Sequence, residues 1–271
     1  MATYLALYLK PPISVPLYNA SGEVVGEVEL PAVFRLPVRA DLIRRVFLSE
    51  FTMRLQPKGR DPMAGKRTTA ESLGIGYGLA RVPRIKGSTR AAFIGSARGG
   101  MATFPPRVEK ILWERVNKKE KILGTASALA ATADAELVRT RGHRFSVAKV
   151  PVVIDSSVLN AISKTSDAVE LLEKLGVYED VERAAERTRW RAGRGKMRGR
   201  RYKEPKSILF ILEDHRAPFA RAVASLPGVD VATPSFVNVL QLAPGGVPGR
   251  LAVVTSESLK LLAKRFEVLG F

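Results

Sequence analysis

The stretch VPVVID at residues 150–155 is the first of four short apolar runs that decide the fold. SILFIL follows at residues 207–212, VDVAT at 229–233 and LAVVT at 251–255. Continuous runs of this kind, rich in β-branched side chains, are typical of strands buried on both faces of a sheet. Between and after them, apolar residues recur at helical spacing in residues 168–175, 181–189, 218–225 and 257–266. Strands that alternate with helices predict an α/β fold with right-handed crossovers.

We therefore predict a mainly parallel, Rossmann-like sheet flanked by helices, formed by an α/β globular domain at residues 108–271. Residues 1–55 are expected to belong to the same domain. They are predicted to begin with a hairpin, because residues 3–10 and 24–30 both have the apolar pattern of a strand.

Two further helical patterns lie outside the strand-rich half of the chain. One is predicted to begin with a cap at Asp41 and to end before Pro57. The other covers residues 108–133. Asn117 and Glu120 have the spacing of a capping box within this second pattern, so it predicts either one long helix or two helices that meet there.

Residues 56–107 contain nine glycines, five prolines and no sustained apolar period. Ten basic residues stand against two acidic ones in this segment. A stretch of this length without regular structure is uncommon inside a compact domain, so we interpret it as a long extended basic loop that binds RNA, mobile in the free protein and ordered by its partner. Its candidate RNA-binding residues are Lys58, Arg60, Lys66, Arg67, Arg81, Arg84, Lys86, Arg90, Arg98 and Arg107.

A second basic loop is expected at residues 187–206, where ten basic residues stand against Glu204 alone. So dense a block of like charge often marks an interaction segment. Its glycines allow the backbone to follow a phosphate contour, and Trp190 and Tyr202 can stack on unpaired bases. The candidate RNA-binding residues here are Arg187, Arg189, Trp190, Arg191, Arg194, Lys196, Arg198, Arg200, Arg201, Tyr202 and Lys203.

The charge of the whole chain also favours a polyanionic partner. The formal net charge is +18 and the sequence pI is about 10.4, and neutralising phosphates releases condensed counterions. No run approaches the roughly 18 to 20 apolar residues that a membrane-spanning helix needs, and the N-terminus lacks the pattern of a signal peptide. We expect a cytoplasmic protein with no membrane partner.

The sequence offers little support for a metal or a catalytic centre. It has no cysteine, and its two histidines, His143 and His215, lie far apart without carboxylates at ligand spacing. Both histidines are interpreted as surface or RNA-contacting residues. We expect no cofactor, no metal and no catalytic residue.

The stretch GRDPMAGKRTT at residues 59–69 is similar in content to a phosphate-binding loop but differs from it in spacing. Five residues separate Gly59 from Gly65, Arg67 stands where a hydroxyl must hold magnesium, and Pro62 lacks an amide hydrogen. The segment also does not follow a buried strand. Its cations and glycines therefore favour a different phosphate, that of RNA, and no small-molecule substrate is expected.

One enzyme alternative stays open, namely an RNA-modifying or nucleotide-using enzyme with a cofactor on the doubly wound sheet. Asp155 and Glu213 follow predicted strands where a ribose-binding acid could lie. Neither strand is followed by the glycine-rich turn that such a cofactor requires. Asp155, Ser156 and Ser157 are therefore interpreted as a helix or turn cap.

Four stretches occur in the order typical of one family: GRDPMAGKRT, ESLGIGYGLARVPR at residues 71–84, ALAATAD with HRF shortly after, and GRGKMRGRRY. With them the chain, from about residue 24 to 266, resembles the L four family of large-subunit ribosomal proteins in its archaeal and eukaryotic form. The resemblance implies a structural protein with an α/β domain on the outer side of the large subunit. It also implies a long loop that threads into ribosomal RNA.

In the resembling family the loop tip lies near the narrow part of the nascent-peptide tunnel. The stretch at residues 71–84 matches that tip region, and Tyr77 stands where members often carry a basic residue. The resemblance implies large-subunit ribosomal RNA, neighbouring ribosomal proteins and the nascent peptide as partners, and a place in the ribosome. The implied tunnel-side residues are Ser72, Gly74, Gly76, Tyr77 and Gly78.

Overall fold

Eight strands and nine α-helices are found in residues 9–267, the part of the chain that the computed structural model describes. The chain divides into two compact units, an α/β unit (residues up to Phe51 and from Glu114 onward) and an inserted segment (Thr52–Trp113). The strands are β1 (Ser14–Tyr18), β2 (Val24–Glu29), β3 (Val152–Ile154), β4 (Arg189–Trp190), β5 (Tyr202–Lys203), β6 (Leu209–Ile211), β7 (Asp230–Ala232) and β8 (Ala252–Thr255). The helices are α1 (Ala40–Met53), α2 (Lys118–Ala130), α3 (Ala135–Arg141), α4 (Val158–Ala161), α5 (Thr165–Lys174), α6 (Tyr178–Glu186), α7 (Pro218–Ala224), α8 (Val239–Leu242) and α9 (Ser256–Phe266).

Six of these strands form one sheet in the order β2-β1-β3-β8-β6-β7. β1 and β2 are antiparallel, and the other neighbours in this sheet are parallel. Side chains of the inner strands alternate between two cores, so that Phe210 packs in one while Leu209 and Ile211 pack in the other. The prediction of a mainly parallel sheet flanked by helices is confirmed.

The two cores explain why the strand sequences are apolar throughout. Helices α4 to α7 cover one face of the sheet, where the ring centroids of Phe210 and Phe219 lie 5.7 Å apart in an edge-to-face contact. Helices α1, α2, α8 and α9 contribute to the core on the other face. A parallel sheet covered on both sides has no solvent-facing positions in its central strands, so the polar residues of a half-exposed strand are absent.

The N-terminal hairpin uses a different first strand from the predicted one. β2 pairs with β1 at Ser14–Tyr18, whereas residues 9 and 10 are not in a strand and the rest of the predicted strand at 3–10 lies outside the described residues. Pro16 within β1 argues against a strand between two neighbours, because proline cannot donate to a ladder. β1 pairs with β3 only through Leu17 and Tyr18, so the ladder on that side begins after Pro16.

The helix predicted at residues 108–116 is not formed. Val108 and Ile111 are 61% and 86% exposed and belong to the inserted segment, which has no core for their apolar pattern to face. A short helix without tertiary packing is marginal in water. The helix begins instead at Lys118, with Asn117 at its N-cap position but without a side-chain capping bond.

The helix predicted after residue 40 is present, but Asp41 does not cap it. α1 starts at Ala40, so Asp41 lies in its first turn, where a carboxylate complements the helix dipole. Its Oδ1 accepts a hydrogen bond from Arg39 Nε at 3.2 Å. A hydrogen bond from that guanidinium lowers the pKa of Asp41.

Arg250 is a fully buried arginine whose role the sequence does not reveal. Its Nε donates to the Ser207 carbonyl at 2.8 Å. Nη1 donates to Asp230 Oδ2 at 2.7 Å and to the Gln241 carbonyl at 2.8 Å. Nη2 reaches the carbonyls of residues 208 and 228 at 3.3 and 3.2 Å. One guanidinium thus ties the chain before β6, the start of β7 and the end of α8 together.

His143 is buried, so its interpretation as a surface or RNA-contacting residue is wrong. Its Nδ1 lies 2.8 Å from Oδ2 of Asp180, a carboxylate that is itself fully buried. Asp180 Oδ1 accepts hydrogen bonds from Arg183 Nε at 2.8 Å and from the Arg144 amide at 3.0 Å. Burial opposes the charge of Asp180, but His143 and Arg183 hold its pKa below the usual value. His215, in contrast, is exposed as expected.

The free energy of unfolding is expected to fall between pH 7 and pH 5, by at most about 2 kcal/mol, the limit for one histidine that stays neutral in the folded state. Burial, only partly opposed by Asp180, lowers the pKa of His143 below its ordinary 6.5, so the folded imidazole stays neutral where the unfolded one binds a proton. Stability present above pH 6.5 is therefore lost as the pH falls through the lowered pKa. Urea unfolding across this pH range measures the effect. His143→Gln should flatten the profile and His215→Gln should not, and equal profiles for wild type and His143→Gln would contradict the assignment.

Candidate RNA interface

The inserted segment is held by turns and isolated backbone contacts, without a strand and without a helix beyond the end of α1, in the residues described. Glu71 and Arg84 exchange backbone hydrogen bonds of 3.0 and 2.9 Å, and the Ala92 amide donates to the Pro83 carbonyl at 2.9 Å. Ala92 is also the one buried residue among positions 52–113. With so little apolar burial, the segment leaves most of its side chains to solvent or to a partner.

The five tunnel-side residues implied by the resemblance lie in an exposed loop that is closed at its base by the Glu71–Arg84 bridge. The Ser72 hydroxyl donates to the Arg81 carbonyl at 3.3 Å. Gly74, Gly76 and Gly78 all have positive φ, and a Cβ added to any of them would meet nothing within 4 Å. These glycines therefore serve the backbone path of the loop and not close packing against the rest of the chain.

Residues 72–80, with the sequence SLGIGYGLA, carry no charge although the surrounding segment is strongly basic. Ile75 is 83% and Tyr77 66% exposed, and Leu73 and Leu79 are exposed as well. Exposed apolar residues that stand together, with no cation among them, mark a contact surface for something other than phosphate.

The ten candidate cations of the inserted segment are exposed, except for the half-buried Arg84. Arg84 donates to the carbonyls of Thr89 and, at 3.4 Å, of Ala80, so it organises the segment itself. Arg67 forms an ion pair with Asp61. A hydrogen bond from this guanidinium lowers the pKa of Asp61 and keeps the carboxylate charged. Because they already have partners within the segment, Arg67 and Arg84 are weaker candidates for RNA contact than the other cations of the segment.

The second basic stretch forms a small hairpin, where the sequence predicts a loop. β4 pairs with β5 through Arg189 with Lys203 and Trp190 with Tyr202, and a 3-10 turn, Arg194–Arg198, lies between the strands. The half-buried Arg191 stabilises the hairpin, because its Nε donates to the Arg200 carbonyl at 3.1 Å. Two-residue strands produce no periodic pattern, so only the pair of aromatic residues could have indicated them.

The two aromatic residues of this hairpin contact each other and an arginine. The ring centroids of Trp190 and Tyr202 lie 6.0 Å apart at 77°, and the Arg201 guanidinium carbon lies 4.1 Å from the Trp190 centroid. Both rings stay more than half exposed, at 58% and 53%. Arg201 thus occupies one face of the indole by a cation–π contact.

Seven cations of the hairpin region are exposed, and in the described part of the chain their side chains form no hydrogen bond or ion pair. They are Arg187, Arg189, Arg194, Lys196, Arg198, Arg200 and Lys203. Lys206, at the end of the same stretch, differs because its Nζ contacts Asp230 Oδ1 at 2.8 Å. The hairpin therefore presents a cluster of positive charge with no compensating carboxylate, which is the arrangement that polyphosphates bind.

The polar side chains at the carboxyl ends of the sheet strands bond to one another. Ser156 Oγ donates to Glu213 Oε1 at 2.7 Å and lies 3.0 Å from Ser256 Oγ. Asp155 Oδ2 accepts from the backbone amide of Ser157 at 3.4 Å and from its hydroxyl at 2.5 Å, which makes it a turn cap as predicted. These polar groups satisfy one another. Among residues 9–267 no cluster of carboxylates and imidazoles could hold a metal, and no helix there is long and apolar enough to cross a membrane.

Sequence reasoning missed exposed cations at the two ends of the inserted segment. Arg54 and Lys110 are exposed and belong to the same compact unit, but both lie outside the predicted bounds of 56–107. The apolar pattern at residues 108–116 had assigned the second of them to a helix. The glycine- and proline-rich composition marks the middle of the segment well and its ends poorly.

Comparison with known proteins gives one consistent family. The ribosomal protein L4/L1 family matches residues 28–265. The large ribosomal subunit protein uL4 of Aeropyrum pernix is 63% identical over 266 residues, which cover 98% of each chain. Proteins of the same name from Sulfurisphaera tokodaii and Sulfolobus acidocaldarius are 53% and 50% identical over 264 residues, which cover 97% of this chain and 98% of theirs.

Proposed function

The chain belongs to the ribosomal protein L4/L1 family, and on this premise we propose that it binds large-subunit ribosomal RNA through two basic surfaces. One is the hairpin of β4 and β5, and the other is the inserted segment. Its relatives are structural, non-enzymatic proteins of the large ribosomal subunit, which removes the support for an RNA-modifying or nucleotide-using enzyme. As a ribosomal protein it is a component of the cytoplasmic ribosome, with neighbouring ribosomal proteins as partners.

The observation that carries this proposal is the cluster of uncompensated cations on the hairpin. The charge of an arginine or lysine without an intramolecular partner is available for binding. When such a side chain neutralises a phosphate, the counterions condensed on the RNA are released. Arg194, Lys196 and Arg198 lie within the five residues of one 3-10 segment, so three cations are concentrated on a small part of the hairpin surface. The exposed rings of Trp190, Tyr202 and Tyr77 are suited to stack on unpaired bases.

The inserted segment supplies the second surface in this proposal. Residues 56–107 act as the extended loop that threads into the RNA, with their exposed cations on phosphates. The uncharged loop at residues 72–80 faces the nascent-peptide tunnel, because its exposed apolar side chains suit a passing peptide better than a phosphate backbone. Ser72, Tyr77 and the three glycines of this loop form the tunnel-side surface.

Removing three hairpin cations is expected to reduce the salt dependence of binding to ribosomal RNA. The variant Arg194→Gln/Lys196→Gln/Arg198→Gln should lower the magnitude of the slope of log K against log salt by about 2 to 3, since each lost phosphate contact contributes about 1. Filter binding of a large-subunit RNA transcript at several salt concentrations measures the slope.

A matched variant removes the same charge from the rest of the α/β unit. Lys149→Gln/Lys164→Gln/Lys260→Gln changes three exposed lysines outside both basic surfaces and should leave the slope within about 1 of wild type. If the slope decreases equally in both triple variants, binding depends only on the net charge of the protein, and the hairpin is not the binding surface.

A further inference from the structure

A small cavity within the inserted segment is lined by the stretch that differs from a phosphate-binding loop in spacing. Its volume is about 240 Å³, somewhat below the roughly 300–1,000 Å³ of sites for drug-sized molecules. The guanidinium-bearing residues Arg67, Arg90 and Arg98 line it together with the apolar Met63, Ile85 and Ala92. Cationic and apolar groups therefore share one concave surface.

Two tight turns and a glycine contact build the cavity. In the first turn the Lys66 amide donates to the Met63 carbonyl at 2.9 Å, and in the second the Gly100 amide donates to the Ala97 carbonyl at 2.9 Å. The turns touch at Gly65, which has a φ of 76° and where an added Cβ would lie 2.4 Å from the Gly100 carbonyl oxygen. Only glycine at position 65 permits both this conformation and this approach.

The cavity carries uncompensated positive charge. Arg67 is paired with Asp61, so its charge is largely balanced. Arg90 donates only to a neutral group, the Arg98 carbonyl, at 3.4 Å. The Arg98 side chain has no hydrogen bond or ion pair with any residue between 9 and 267. Two cations are thus left for an anion at the edge of an apolar surface.

We propose that this cavity receives one unpaired nucleotide of RNA, with its base against Met63, Ile85 and Ala92 and its phosphate against Arg90 and Arg98. A phosphate alone would leave the apolar surface uncovered, and an apolar side chain of a peptide would leave the two guanidinium charges unmatched. A nucleotide is the unit of RNA that presents a flat apolar face and an anion together. The inference rests on the proposed function and specifies a site within it.

The test compares a fluorescent 12-nucleotide oligoadenylate with an abasic strand of equal length and charge, both on the full chain. Wild type should bind the base-bearing strand about tenfold more tightly, a difference of about 1.4 kcal/mol. Ala91→Leu, which fills the cavity without changing the charge, should reduce this preference to about threefold or less, the rest coming from Trp190 and Tyr202. The control Ala80→Leu makes the same substitution at an exposed position outside the cavity and should keep the full preference.

A cross-linking arm does not depend on a variant folding correctly. An oligonucleotide containing 4-thiouridine should cross-link wild type at the peptide that carries Met63 or Ile85. The cavity assignment is overturned if Ala91→Leu keeps the wild-type preference or if cross-links fall only on other peptides. Binding of adenosine monophosphate with the affinity of the oligonucleotide would assign the cavity to a free nucleotide and also overturn it. Failure of the proposed function differs from both, because then neither strand binds with a salt-dependent affinity.

Discussion

Raising the salt concentration from about 50 to 200 mM is expected to weaken binding to ribosomal RNA by about 10³- to 10⁵-fold. The reason is the number of exposed cations without intramolecular partners. Seven lie in the hairpin region alone, and with those of the inserted segment the chain can make the roughly 6–10 phosphate contacts that produce such a dependence. This range is taken from the salt dependence measured for duplex nucleic acids, and the slope for each phosphate contact differs in folded RNA.

Titrations of a large-subunit RNA transcript at five or more salt concentrations give the slope directly. Urea unfolding at the same concentrations serves as the control, since the folded fraction must stay constant. An affinity that changes less than about tenfold over this range would mean that fewer than about three phosphates are neutralised. That outcome would contradict both basic surfaces at once.

Replacing Arg250 with methionine is expected to lower the free energy of unfolding by about 3–5 kcal/mol. The change leaves Asp230 without its buried partner, although Lys206 still contacts that carboxylate at 2.8 Å. It also removes a donor from four backbone carbonyls. The carbonyls of residues 208 and 228 keep the amides of Asp230 and Ser207 as donors at 3.2 and 2.9 Å. The carbonyls of Ser207 and Gln241 lose the Arg250 donor, and a buried acceptor without a partner costs about 1–3 kcal/mol. Because one side chain supports several chain segments, the loss exceeds that of an ordinary surface arginine.

Urea denaturation of wild type, Arg250→Met and Arg250→Lys measures the loss. The lysine variant keeps the charge but not the planar set of donors, so it should recover only part of the stability. Arg221→Met removes an exposed arginine from α7 and should change the free energy by no more than about 0.5 kcal/mol. A loss below about 1 kcal/mol for Arg250→Met would show that water replaces the missing donors.

The parts of the fold that could be predicted are those in which an apolar sequence pattern results from burial in a core. The run at residues 207–212 is apolar because both faces of β6 are covered, and its short length favours a strand over a buried helix. Residues 108–113 have an equally regular pattern, but they belong to the inserted segment, which has no core for them to face, so the pattern alone misleads. β1 could not be predicted because it contains Pro16. A proline is tolerated there only because the ladder with β3 begins after it, which the sequence does not show.

The candidate site could be predicted by composition but not by geometry. Dense arginine and glycine mark the stretch at residues 187–206 in any reading of the sequence. The sequence does not show which cations remain exposed. Arg84 and Arg191 donate to backbone carbonyls instead, through contacts that have no sequence signature. His143 shows the same limit, because its partner Asp180 is 37 residues away.

The position of β8 has a consequence for how the protein is made. β8 lies between β3 and β6 in the sheet, yet it follows every other described strand in the chain. At a synthesis rate of about 5–20 residues per second, β8 is translated roughly 2–8 s after β6. Until then β3 and β6 have no strand between them. During that time both have an open edge of the kind that invites pairing with another chain. A polypeptide interrupted before residue 252 has the strands on both sides of β8 but not β8 itself, so the sheet can close only after β8 has been translated.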